Sequence, residues 1–109
     1  MDTITLGPKP IARYVVLTVG TSIATFTDAQ LMGRNGQQVT RAVGRVLAAS
    51  VNMGIKDIIN PTSGASGVGL VLAANDVIVL EGHENISRAQ FIQNSGAATI
   101  AFFLQVDLL

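Results

Sequence analysis

The sequence predicts an all-β fold: a single-domain antiparallel β-sandwich preceded by an extended N-terminal arm. Three observations predict it. Short runs of β-branched and aromatic residues recur along the chain, separated by clusters of Gly, Pro, Asn, Asp and Ser. The 109 residues suit one domain. The chain has no cysteine, so packing rather than disulfides must hold it together.

Residues 1–10 read as the arm and residues 11–109 as the sandwich. Pro8 and Pro10 lack backbone donors and push their neighbours toward extended geometry. Residues 11–17 (IARYVVL) read as a strand. Gly20 and Thr21 suit a turn, after which residues 22–26 (SIATF) alternate, Ile23 on one face and Ala24 and Phe26 on the other. Residues 28–36 carry turn residues and end in Asn35-Gly36, a dipeptide that tolerates positive φ. Residues 37–52 are ambiguous. Val39, Ala42, Val43, Val46, Leu47 and Ser50 fit helical spacing, but Gly44 stands in the middle. A strand or short helical turn over 39–43 and a strand over 45–51 are expected.

Residues 55–59 (IKDII) alternate like a strand, and residues 60–69 (NPTSGASGVG) mark an exposed loop. Residues 70–72 read as a short strand, 74–76 as a turn and 77–80 (VIVL) as a strand buried on both faces or paired between subunits. Residues 81–85 read as a polar loop, 87–93 as a strand, 94–96 as a hairpin turn and 97–106 as the closing strand. The five aromatics, Tyr14, Phe26, Phe91, Phe102 and Phe103, lie on strands among apolar neighbours and are expected in the core.

Composition narrows the function. Hydrophobic residues make up 49% and charged residues 13%, against about 25% charged in an average domain. Mean hydropathy is +0.48. Such a chain leaves apolar surface after its core is filled, and copies of itself are the expected cover. A membrane partner is not expected. The longest apolar run, residues 97–104, is broken by Thr99 and is far short of the roughly 20 residues a spanning helix needs. No signal-peptide pattern opens the chain, so folding in the cytoplasm of the producing cell is expected. Seven basic and seven acidic residues cancel. Arg13, Arg34, Arg41, Arg45 and Arg88 form no basic run, so nucleic acid is not an expected partner.

Candidate chemistry is sparse. His83, the one histidine, is flanked by Glu81 and Glu84. A metal site wants three or four ligands of fixed geometry, and a solvated loop is the simpler reading. Gly64, Gly67 and Gly69 invite a phosphate loop, but no lysine follows and the next segment reads as a strand. Ser63-Gly64 and Ser66-Gly67 lack a nucleophile elbow's surroundings. The expectation is a non-enzyme: no catalytic residue, no cofactor and no metal.

The punctuation of residues 46–106 resembles that of small all-β virion proteins of tailed bacteriophages. The matching residues are Asn60-Pro61-Thr62, the stretch from Gly69 to Asp76, Leu80-Glu81-Gly82, Phe91-Ile92 and residues 100–104. Residues 1–45 match nothing in that pattern. The resemblance implies a jelly-roll-like sandwich and a capsid decoration (cement) protein. Such a protein sits on the virion's capsid surface, commonly as a homotrimer bound between major capsid subunits, after assembly in the host cytoplasm. Expected contact residues are 3–10 of the arm and the loops 60–69 and 81–85. The alternatives are a ligand- or receptor-binding β-module, against which the absence of Trp counts, and a tail or connector component. An enzyme built on His83, Glu81 and Glu84 is the third class.

Overall fold

The computed structural model describes residues 6–33 and 36–107. Seven strands and one short helix follow in order: β1 (Ile11–Val19), β2 (Val39–Ala48), β3 (Val51–Ile55), β4 (Leu70–Leu72), β5 (Val77–Glu81), α1 (His83–Arg88), β6 (Ala89–Gln93) and β7 (Ala98–Val106). They form two antiparallel sheets, ordered β1-β7-β2-β5 and β4-β3-β6. Their buried faces enclose one core, so the molecule is an all-β sandwich.

Four links carry the chain between the sheets: β2 to β3, β4 to β5, β6 to β7, and β5 to β6 through α1. Two further crossings lie between β1 and β2, where Ala24 forms a β-bridge with Phe91 at the outer edge of β6. With that segment in place of an eighth strand, each sheet has four members and the winding is jelly-roll-like. The expected strand over 22–26 is thus reduced to one bridge. Its alternation still holds, since Phe26 is buried and Ile23 exposed.

Phe102 is the centre of the core. Its ring lies 4.9 Å from Phe26, edge-on, and 5.9 Å from Phe91. Gly44 makes room for it. The two residues pair across β2 and β7, and a Cβ at 44 would lie 2.5 Å from the Phe102 ring. One strand therefore runs through the ambiguous stretch, and its glycine is a packing requirement, not a helix breaker. The chain then turns through Ala49 at φ 59° and re-enters as β3 in the other sheet.

Other expectations need correction. Residues 55–59 are not a strand. The Ile55 carbonyl accepts from the N–H groups of Ile58 and Ile59, and Asp57 has φ 66°, so the segment is a turn. The expected loop 81–85 contains the start of α1, whose Ile86 is fully buried, and this displaces the next strand's start to Ala89. Residues 94–96 are no hairpin turn, because β6 and β7 lie in different sheets. Asn35 of the expected Asn-Gly turn lies outside the described residues, as does Arg34.

Candidate functional site

The candidate site is built by strand register. On the side of the four-stranded sheet away from the core, pairing aligns three rows of residues. The first is Ile11, Gln105, Arg41 and Glu81. The second is Tyr14, Phe103, Val43 and Val79. The third is Val16, Ala101, Arg45 and Val77. Thr18 and Thr99 close the face beyond them. An ordinary half-buried sheet alternates apolar inside and polar outside. Here the second row is apolar across all four strands.

The chain covers the first row itself. Buried Gln105 donates from Nε2 to the carbonyls of Leu6 and Lys9, at 2.8 and 2.7 Å. Arg41 Nη1 donates to the Leu6 carbonyl and to Gln105 Oε1, at 2.9 and 2.7 Å. Its Nε lies 3.2 Å from Glu81. Lys9 Nζ stands 3.1 Å from Asp107, and Val106 N–H donates to the Pro10 carbonyl. So residues 6–10 of the expected arm fold onto their own sheet instead of reaching away from it. Residues 1–5, with three of the expected contact positions, lie outside the described residues.

Beyond residues 6–10 the face is partly exposed among the described residues, with Val43 buried in its middle. Tyr14 is 58% exposed, Val79 47% and Val16 45%. The Tyr14 ring leans on Phe103 at 5.6 Å. Tyr14 is therefore no core residue, contrary to expectation, and Phe103 packs outside the core with it.

The central strand of the opposite sheet is covered, while Leu70 and Val71 on its edge strand stay exposed. Asn52, fully buried on β3, donates from Nδ2 to the carbonyls of Thr62 and Gly64 and accepts from Asn94 Nδ2 at 2.8 Å. Pro61 is buried, and a Cβ on Gly54 would meet the Ile59 carbonyl. The 60–69 loop is thus a lid on β3. It is no anion cradle: the Gly64 N–H bonds the Gln93 carbonyl and the Gly67 N–H bonds Gly64. The expected contact loop keeps exposed Ser63, Ala65 and Ser66 at its tip.

The chemistry-bearing residues do not converge. His83 Nδ1 lies 3.1 Å from the Val39 carbonyl, so its Nδ1–H tautomer donates there. Glu81 turns to Arg41, and Glu84 is exposed. No group of three His, Asp or Glu among the described residues is placed to hold a metal. A surface pocket of about 320 Å³ is lined by Pro10, Ile11, Ala12, Gln37 and Val106, with no acid, base or nucleophile among them. No helix of the described residues is long and apolar enough to cross a membrane.

Compared with known proteins, the chain matches no family model, no curated protein and no solved structure.

Proposed function

We propose that this chain is a structural virion protein of a tailed bacteriophage, a capsid decoration protein that binds the shell through the outer face of its four-stranded sheet. The observation that carries the reading is the aligned apolar row Tyr14, Phe103, Val43 and Val79, in which Tyr14 and Val79 are exposed on either side of buried Val43, while a loop covers the central strand of the other sheet. An apolar stripe this continuous is what a solvated monomer avoids and an assembly uses. The jelly-roll-like winding supports the reading, since that architecture recurs in capsid proteins, but it does so by analogy of fold alone. Many copies with individually modest contacts make a shell-bound layer effectively permanent.

The test is recovery of the chain in purified particles at a fixed ratio to the major capsid protein. A Tyr14→Lys, Val79→Lys double variant should fold normally and be lost from them. Particles that never contain the chain would overturn the reading. A second reading, a ligand-binding module, draws on the exposed Tyr14 ring as a stacking platform. A glycan array without hits would retire it.

A further inference from the structure

We infer that two copies of this chain join edge to edge, β1 against β1, into one continuous eight-stranded antiparallel sheet. The inference rests on the assembly reading above and names the contact between copies.

The edges of the two sheets are unequal. β4 has only three residues. β6 is occupied along its outer side, where Ala24 and Phe91 exchange backbone hydrogen bonds and Gln93 N–H donates to the Gly20 carbonyl. β5 has five residues and ends in Glu81. β1 runs for nine residues without proline. Its strand partner is β7, and none of its N–H or C=O groups bonds outside the sheet among the described residues. Natural sheets blunt long edges with charge, proline or cover. The one charged residue on β1, Arg13, sends its guanidinium back to the Met32 carbonyl at 3.3 Å. A register shift interrupts β1 between Ile11 and Arg13, so the regular pairing template, the longest on the molecule, runs from Arg13 to Val19.

A second copy suits this edge because an antiparallel pair of identical strands is two-fold symmetric. Overlap of residues 13–17, beyond the register shift, places the axis at Val15. Tyr14 then lies opposite Val16 of the partner subunit, and Arg13 opposite Leu17 of the partner subunit. The lone charge never meets itself. Paired residues share a face, so core-facing Val15 continues the inner layer and the Tyr14 row continues across the junction. The Ala24 segment follows β1 into the other layer at this same side of the sandwich, so both layers meet their copies together. The unit made this way is a dimer, in place of the trimer that the resemblance implies.

The cysteine-free chain allows a direct test. Cross-strand partners stand at a separation a disulfide can bridge. Tyr14→Cys and Val16→Cys are made as separate proteins and oxidised mildly, alone and mixed. The mixture should form the linked dimer about tenfold faster than either variant alone, because only unlike partners face each other. In the wild type, the β1 amides that point away from β7 should exchange more slowly as concentration rises. A dimer or higher oligomer by light scattering, without the mixture-specific link, overturns this pairing and leaves the assembly reading standing. A chain that stays monomeric at high concentration overturns the pairing, whereas the shell-binding reading falls only if purified particles lack the chain.

Discussion

Gly44 and Phe102 are cross-strand partners, and the Phe102 ring occupies the space that any side chain at 44 would need. A methyl group there would lie 2.5 Å from Cδ1 and 2.8 Å from the Ala101 carbonyl. Neither neighbour has room to retreat, since Phe102 is fully buried and wedged against Phe26 and Phe91. Gly44→Ala should therefore destabilise the chain by about 1–3 kcal/mol, the usual range for overpacking. Equilibrium denaturation in urea checks it.

Gln105 ties the arm to the sheet. Its amide satisfies the Leu6 and Lys9 carbonyls and Arg41 at once. Gln105→Leu keeps the bulk but removes these three hydrogen bonds, at about 1–3 kcal/mol. The loss should be local as well as global: limited proteolysis within residues 6–10 should accelerate, while the rest of the sandwich resists.

The 60–69 lid hangs on Asn52. Asn52→Ala removes the donor to Thr62 and Gly64 and the acceptor for Asn94. Stability should fall by about 1–3 kcal/mol. Hydrogen exchange of the Val68 amide, which now bonds Thr62, should quicken. Gly67→Ala should fail more severely, because its Cβ would press on the Thr62 carbonyl backbone.

Acid should loosen the arm. The carboxyl of Asp107 is held below its ordinary value, first by the hydrogen bond from Lys9 and next by that from Thr40. A lowered folded-state pKa stabilises above the unfolded value of about 3.9 and ceases to do so as pH falls through the folded value. The stability gap between wild type and Asp107→Asn should thus be present at neutral pH and close as the solution is acidified below about pH 4. Denaturation series at several pH values would show it. A gap that widened in acid would contradict the assignment.

The outer face should separate assembly from folding. Val79→Lys places a charge in the second row at a position 47% exposed. Stability should change by no more than about 0.5 kcal/mol, as for surface substitutions generally. Retention on particles should drop. Equal retention of the variant would remove the face from the proposal.

Much of the strand set was legible. Residues 70–72 fall where β4 lies, and the last strand is displaced by one residue at its start. Both are short apolar runs bounded by turn residues, the signal that local sequence carries best. The stretch around Gly44 was not legible, because Val43 and Val46 are buried on opposite faces of β2 and this erases the two-residue alternation. The turn at 55–59 was missed because Ile58 stays apolar while 74% exposed, so alternation there does not track burial. α1 was missed because only Ile86 on it is buried. The candidate face was visible as surplus hydrophobicity but not as a place. Tyr14, Val43, Val79 and Phe103 are spread along the whole chain, and only the register between non-consecutive strands sets them side by side.

Lys9 and Asp107 are in direct contact, and Pro10 is bonded to Val106. The first and last stretches of the described residues therefore lie side by side. A linker joining Lys9 to Asp107 would span only that one contact, leaving new openings free to be cut at exposed loop tips such as Ser66.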